Sequence, residues 1–342
     1  MGLLDIFKKE VAIDLGTANT LIIHKDKLVI DEPSIVTINT RTNRLIAIGR
    51  EAMMMEGKTH ENIKTIRPLK DGVIADFDAA EYMIRSFIKM INDGRKWIMP
   101  SLRVMICIPS GITEVEKRAV RDSAEMAGAK EVYLIHEPMA AALGIGIDVD
   151  APTGSMVIDI GGGTTEIAVI ALSGIVCDQS IRVAGDDFNT DIINYIRREH
   201  NILIGTPTAE KIKIEIGSAL TELPENEAPN ELDIQGRDLM TGIPKQITIS
   251  YKEISLCLDK SISKIEESVL KALEMTPPEL SSDIYKNGVN LTGGGALLRG
   301  LAARISNKVK LPVIVANDPL KAVVRGTGMA LKNISKFKFL VK

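Results

Sequence analysis

Val11-Ala12-Ile13-Asp14-Leu15-Gly16-Thr17-Ala18-Asn19-Thr20, followed by apolar Leu21-Ile22-Ile23, reads as a strand, an aspartate, a tight polar turn and a second strand. The phrase returns as Met156-Val157-Ile158-Asp159-Ile160-Gly161-Gly162-Gly163-Thr164-Thr165, followed by Glu166 and apolar Ile167-Ala168-Val169-Ile170. Asp14 and Asp159 stand about a domain's length apart. Self-similarity at that spacing predicts a duplicated α/β unit with one glycine hairpin in each half.

A glycine-rich hairpin exposes successive backbone N–H groups with no Cβ in the way. Such groups form an anion-binding concavity. Thr17, Asn19, Thr164 and Thr165 add short polar donors. One such turn is also a good plain hairpin. Two of them, each led by an aspartate and facing each other across a cleft, would grip a polyphosphate from both sides. Asp14 and Asp159 would then hold a Mg²⁺ through water, because Mg²⁺ gives up its hydration shell reluctantly.

Other nucleotide motifs are incomplete. Gly57-Lys58-Thr59 ends like a P-loop, but Ala52 stands where its first glycine belongs. Gly144-Ile145-Gly146 lacks the third glycine of the dinucleotide fingerprint. A further cluster, Leu291-Thr292-Gly293-Gly294-Gly295-Ala296-Leu297-Leu298, comes after apolar Val289 and precedes a helix-like segment through Ile305. Strand, triple glycine and helix would let a ligand approach a helix N-terminus closely. A sharp strand-to-helix turn would need one glycine rather than three.

Composition bounds the rest. Of 342 residues, 45% are hydrophobic and 25% charged, with a net charge of −3. That excludes a disordered chain or a disulfide-dense mini-protein and predicts two or more domains. The near-neutral balance argues against nucleic acid as a partner. Cys107, Cys177 and Cys257 are scattered, with neither disulfide nor metal spacing, which favours a reducing cytosol. His24, His60, His136 and His200 show no metal spacing either. No apolar stretch is long enough to span a bilayer. The N-terminal segment lacks the features of a signal peptide, and Ile6 breaks the myristoylation pattern. Leu3, Leu4 and Phe7 are spaced for a short amphipathic segment at a membrane interface; a frayed terminus is the plain alternative.

Apolar runs and Gly/Pro punctuation predict strands at Val11–Asp14, Leu21–His24, Ser34–Asn39, Arg103–Pro109, Val132–His136, Met156–Asp159, Glu166–Ala171 and Ile175–Ser180. Helices are predicted over Asp78–Asn92, Thr113–Ala127, Phe188–His200, Thr208–Leu220 and Tyr251–Glu274, and one opening at Pro138. Thr113 with Glu116 makes a capping box, and Gly128 stops that helix. Pro224–Glu231 is acidic and reads as a surface loop.

The two hairpins, then His136-Glu137-Pro138-Met139-Ala140-Ala141-Ala142, then the late triple glycine, resemble in that order the actin/heat-shock chaperone/sugar-kinase ATPase superfamily. Within it the chain is similar to the bacterial actins that determine rod shape. Pro68-Leu69-Lys70-Asp71-Gly72-Val73-Ile74-Ala75-Asp76, the stretch Ala209–Gly217 and Thr276-Pro277-Pro278-Glu279-Leu280 support this. The resemblance runs from about Val11 to about Leu331.

It implies an α/β, actin-like ATPase fold, with two large domains around a nucleotide cleft. Residues 1–35, 68–147 and 320–342 would form the first large domain and 36–67 its small subdomain. Residues 148–185 and 250–319 would form the second, and 186–249 its small subdomain. The ligand would be ATP with Mg²⁺. Carried over by motif, Thr17, Ala18 and Asn19 beside Gly16 would bind phosphates from one side. Gly162, Gly163 and Thr164 beside Gly161 would bind from the other. Glu210, Lys211, Ile212 and Lys213 would border the ribose and base; read without the resemblance they are a solvated helix face. Gly293, Gly294, Gly295 and Ala296 would approach the adenosine and α-phosphate.

Glu137 follows a strand and precedes Pro138, a favoured first helical residue, which places a carboxylate beside the cleft. There it would orient and deprotonate the water attacking the γ-phosphate, helped by Thr164; helix-dipole stabilisation is its plainer role. The resemblance further implies head-to-tail homopolymers, peripheral attachment to the inner face of the cytoplasmic membrane, and cell-wall elongation proteins as partners. Leu3, Leu4, Ile6 and Phe7, and the loop Lys96-Trp97-Ile98-Met99-Pro100, would meet the membrane. Trp suits that interface. Three rivals share the fold: a chaperone ATPase, a small-molecule kinase and another bacterial filament. The chaperone would need a further domain after Gly326-Thr327-Gly328, where only Ala330–Lys342 remain. The kinase would normally present an Asp base where this chain has Glu137.

Overall fold

The computed structural model describes residues 8–91, 101–223, 230–337, 339 and 340. In the first half, Lys8–Leu15, Asn19–His24 and Lys27–Pro33 form an antiparallel meander. Ser101–Ile108 and then Glu131–His136 add in parallel on the other side of Lys8–Leu15. In the second half, Ser155–Ile160, Thr165–Ala171 and Gly174–Ile181 repeat the meander. Val289–Thr292 and Val313–Val315 repeat the parallel addition. Order and direction match strand for strand, so the duplication extends from two hairpins to two whole sheets.

Local signals place most helices within a few residues. Thr113 Oγ1 accepts from Glu116 N at 3.2 Å while the Glu116 carboxylate accepts from Thr113 N at 2.8 Å, opening the helix Glu114–Met126. Ser250 and Glu253 make the same box for Tyr251–Met275. The helix expected at Pro138 begins one residue earlier, as Glu137–Gly144, and the one expected over Thr208–Leu220 runs Thr206–Ile216. The strand expected over Ser34–Asn39 is Val36–Asn39, beginning two residues later. A further strand, Lys27–Pro33, precedes it; of its short apolar run Leu28-Val29-Ile30 only Ile30 is buried.

The central strands are buried on both faces, as parallel additions require. Val11 and Ile13 face an outer core with Met83 and Phe87, whereas Ala12 faces an inner core. The inner core joins the halves. It contains Ala12 and Met105 from one sheet, Val157 and Ala168 from the other, and residues of the helices Glu137–Gly144 and Ala322–Lys332. Each of these helices follows the last strand of its own sheet, and the two cross in backbone contact. A Cβ on Gly144 would lie 1.8 Å from Ala322 O, and one on Gly326 would lie 1.7 Å from Ala140 O. The crossing therefore admits no side chain at either glycine.

Among the described residues two three-stranded sheets and one two-stranded hairpin, Leu69–Lys70 with Val73–Ile74, complete the fold. One three-stranded sheet orders Arg44–Ile48, Val36–Asn39 and Ile63–Ile66, with the helix Gly49–Met55 beside it; the other orders Ile202–Leu203, Glu231–Asp238 and Pro244–Ser250. Among the described residues no helix is long and apolar enough to cross a membrane. Leu3, Leu4, Ile6 and Phe7, Trp97, Ile98 and Met99, and residues 224–229 of the acidic stretch lie outside the described residues.

Candidate functional site

The two hairpins touch. A Cβ on Gly162 would lie 2.7 Å from Ala18 Cβ, and one on Gly163 would lie 2.6 Å from Thr17 Oγ1. Only glycine allows this approach. Both turns are tied from behind by the segment that comes after the third strand of the sheet. Ser34 N donates to Ala18 O at 2.9 Å and Ser34 Oγ to Gly16 O at 2.6 Å. Gly185 N donates to Gly161 O at 3.2 Å and Asp186 N to Gly162 O at 2.8 Å. The turn carbonyls are thus occupied. The N–H groups of Thr17, Ala18, Gly162 and Gly163 have no acceptor among the described residues. Backbone donors left in this arrangement are the ingredients of an anion site.

A third loop closes against both hairpins. Asp71 and Gly72 adopt φ of 52° and 77°, the left-handed pair of a tight Asp-Gly hairpin turn between Leu69–Lys70 and Val73–Ile74. Gly72 N donates to Thr17 Oγ1 at 3.0 Å, and the Thr164 methyl packs on Gly72. Thr164 itself is buried, while Asn19 is exposed at the start of its strand.

Beneath the hairpins lie carboxylates. Burial raises the Asp14 carboxyl to about 6, against a hydrogen bond from Cys107 that lowers it. Burial, opposed by a hydrogen bond from Thr292 and reinforced by the charges of Asp14 and Glu166, raises Asp159 to about 7. Glu137, the first residue of its helix, is pushed well above the usual carboxylate range by burial and then by Glu166, Asp14 and Asp159. Glu166 is fully buried and accepts from Ser110 N at 3.0 Å, Ser110 Oγ at 2.6 Å and Ser180 Oγ at 2.6 Å. Carboxyl groups gathered in one buried place, with Glu137 and Asp159 raised by the charges of the others, make a strong field for a cation. Among the described residues no group of three or more His, Cys, Asp or Glu is arranged as direct metal ligands. Asp14 and Asp159, two hard oxygen donors from opposite halves, fit an ion that keeps much of its water, as Mg²⁺ does.

The remaining candidates separate. Lys213 Nζ donates to Gly185 O at 3.0 Å and to Glu210 at 2.7 Å, so both side chains stand behind the second hairpin. Lys211 is exposed and pairs with Glu215, and Ile212 is fully buried in the core of the second half. Of the four, Glu210 and Lys213 are the side chains tied to the second hairpin. The triple glycine has a packing role as well. A Cβ on Gly293 would lie 2.3 Å from Ile160 O, and one on Gly295 would lie 2.2 Å from Ile160 Cγ2. Two of the three glycines are thus explained by packing against the strand that leads into the second hairpin. The chain then makes a short 3₁₀ turn, Gly294–Leu297 with Ala296 buried, and the helix Leu301–Val309 starts only after Gly300.

The profile described as MreB/Mbl protein matches residues 8–339. The chain belongs to the MreB/Mbl family. It is 49% identical over 334 residues to the cell shape-determining protein MreB of Escherichia coli strain K12, covering 96% of this chain and 95% of that one. It is 46% identical over 332 residues to the cell shape-determining protein Mbl of Bacillus subtilis strain 168, covering 97% and 98%. Among solved structures, MreB5 of Spiroplasma citri bound to ADP superposes with a TM-score of 0.88 at 42% identity, covering 96% and 99%. The same protein bound to AMPPNP gives 0.88 at 41%, covering 96% and 97%. A MamK double helical filament subunit, 20% identical with a TM-score of 0.79 over 95% and 99%, shares the fold. The actin-like α/β architecture is thus established, and membership of the MreB/Mbl family sets aside the chaperone and kinase readings.

Several residues around the hairpins escaped sequence reading: Ser34, Cys107, Glu166 and Thr292. None has a motif of its own. Each acts through strand register, which a single sequence shows only after the sheet order is known. Asp71-Gly72 was legible as a turn signal, but nothing local tied that turn to Thr17.

Proposed function

We propose that this protein binds ATP with Mg²⁺ between the two hairpins, hydrolyses it, and polymerises into filaments on the inner face of the cytoplasmic membrane. There the filaments would organise cell-wall elongation and so direct rod shape. One observation carries the reading: Thr17–Ala18 meets Gly162–Gly163 with backbone N–H groups unspent, above a buried Asp159 and a half-buried Asp14. The cell shape-determining relatives support the cellular role, and the ADP and AMPPNP complexes of the Spiroplasma citri protein support the ligand. The division into two large domains, each with a small subdomain, at the boundaries that the resemblance implies belongs to the same reading.

Protein contributions to phosphoryl transfer are mostly positioning and charge neutralisation. Bound Mg²⁺ would supply positive charge against the phosphate oxygens. Asp14 and Asp159 would hold its water shell, one from each half. The hairpin N–H groups would hold the phosphates, and Glu210 and Lys213 would border the nucleoside. Glu137 would orient the attacking water. The water oxygen bonds to the γ-phosphorus, the bond to ADP breaks, and the released proton passes to Glu137. A carboxyl with raised proton affinity suits that task. Thr164, beside the hairpin, would help place the water. Closing the halves about the helix crossing would change the surface offered to the next subunit, and head-to-tail contacts that form no ring give filaments.

The test pairs phosphate release with sedimentation. Glu137→Ala should retain ATP binding yet lose phosphate release by on the order of 100-fold, while wild type should pellet with lipid vesicles only when ATP is present. Unchanged hydrolysis would remove Glu137 from its role. ATP-independent solubility at every concentration would remove the filament.

A further inference from the structure

The duplication reaches one layer behind the aspartates. In the first half the parallel register Ile13↔Ile106 continues so that Cys107 stands beside Asp14, and Cys107 Sγ donates to Asp14 Oδ1 at 3.1 Å. In the second half Asp159 is paired with Thr292, and Thr292 Oγ1 donates to Asp159 Oδ1 at 2.7 Å. Cys107 and Thr292 occupy the same place in the two sheets: the fourth strand of each half, on the parallel side of the first, level with the aspartate. Both are buried, at 3% and 0% exposure. Two donors at one register position in both halves, each hydrogen-bonded to its aspartate's carboxylate, are more than two polar residues that happen to lie in a core.

We propose that Cys107 and Thr292 are a pseudo-symmetric pair of positioning residues, each fixing Oδ1 of its aspartate so that the carboxylate is held in one orientation toward the hydrated Mg²⁺. The inference rests on the reading that ATP and Mg²⁺ bind between the hairpins. It adds a difference between the halves. A hydroxyl is a strong donor and a thiol a weak one, so the Asp159 arm is the more firmly held. Groups that orient a metal-binding side chain typically govern metal affinity rather than ligand identity.

The experiment titrates Mg²⁺ at fixed concentration of a fluorescent ATP analogue, and measures analogue affinity with Mg²⁺ removed by EDTA. Thr292→Val should raise the Mg²⁺ concentration for half-maximal binding by about tenfold, with affinity in EDTA unchanged. Thr292→Ser should restore the wild-type value. Thr292→Cys, which installs in the second half the thiol of the first, should fall between them. Cys107→Ala should show a smaller rise than Thr292→Val, and Cys107→Ser should match or improve on wild type. Melting curves check folding; if Thr292→Val does not fold, the Thr292→Cys and Cys107→Ala pair carries the test. Folded Thr292→Val, Thr292→Cys and Cys107→Ala proteins that keep wild-type Mg²⁺ dependence overturn the proposal. So does an equal loss with and without Mg²⁺, which marks a purely structural role. If wild type itself shows no Mg²⁺-dependent binding, the reading of the site fails along with the pair.

Discussion

The two hairpins share a backbone plan and differ in what stands on their antiparallel side. Asp14 lies opposite Leu21, an apolar neighbour. Asp159 lies opposite Glu166, a second carboxylate, which in turn receives Ser110 from the first half. Duplication built the cleft by placing equivalent turns face to face. Divergence then concentrated charge on one of them. The second hairpin holds the higher carboxyl, Asp159 at about 7 against Asp14 at about 6, and Glu166 leads the charges that raise Glu137. On the proposed reading, symmetry would account for binding from two sides, and its breaking for chemistry on one.

The sharpest way to break this comparison is to part the hairpins. On Gly163 a side chain would meet both Thr17 Oγ1 and Asp71 N, at 2.6 and 2.9 Å from its Cβ. The second contact is backbone and cannot turn aside. Gly163→Val should weaken nucleotide affinity at least about 100-fold, as read by fluorescent-nucleotide titration on protein whose circular dichroism is unchanged. Gly294→Ala is the control within the other glycine cluster. There the nearest atom is the flexible end of Leu320 at 3.2 Å, so the affinity loss should be far smaller. Equal losses would mean that glycine content, not hairpin contact, matters.

That contrast also shows what was readable in advance. The hairpins were legible because glycine, threonine and aspartate in a repeated order have a local physical meaning. The capping box at Thr113 was legible for the same reason; the one at Ser250 has the same pattern and emerged only in the structure. The triple glycine shows a second cause that the sequence hides: Ile160, distant in sequence, leaves no room for a side chain at Gly293 or Gly295. Cys107 and Thr292 were illegible because their meaning lies in which strand neighbours which. Ile212 looked like its neighbours Glu210 and Lys213 until helix phase turned it into the core.

A second way to sharpen the comparison uses pH. Both aspartates have native proton affinities above the unfolded value of 3.8. The native state therefore binds more protons than the unfolded chain between that value and about 6 for Asp14, or about 7 for Asp159. Their contribution to stability is greatest below 3.8 and is lost as pH rises through the native values. With EDTA and no nucleotide at about pH 8, Asp159→Asn should stabilise the fold by on the order of 3 kcal/mol. Asp14→Asn should stabilise it less. Thermal melts of the three proteins from about pH 4 to about pH 8 check this. The curves should converge at the acid end, and an advantage for the variants that persists there undiminished would contradict the assignment of both carboxyls.

The smallest effect tests whether the supports of the two turns are equivalent. Ser34, fully buried, donates to Gly16 O at 2.6 Å and lies 2.9 Å from Thr20 Oγ1. In the second half the corresponding tie comes from the hairpin side, from Thr165, the register equivalent of Thr20; also fully buried, it donates to Val183 O at 2.7 Å. Each bond ties a hairpin to the segment after the third strand. Removing either donor leaves a buried carbonyl with fewer partners, a cost of about 1–2 kcal/mol. Ser34→Ala and Thr165→Val should therefore lower the midpoint of urea unfolding by similar amounts. The nucleotide readout should differ. Gly185 and Asp186 also hold the second turn through Gly161 O and Gly162 O, whereas Ser34 alone supplies both the backbone and the side-chain tie to the first. Ser34→Ala should then weaken ATP affinity more than Thr165→Val does, by a factor of about three. The reverse order would place the stiffer turn in the first half and undo the asymmetry between the two hairpins.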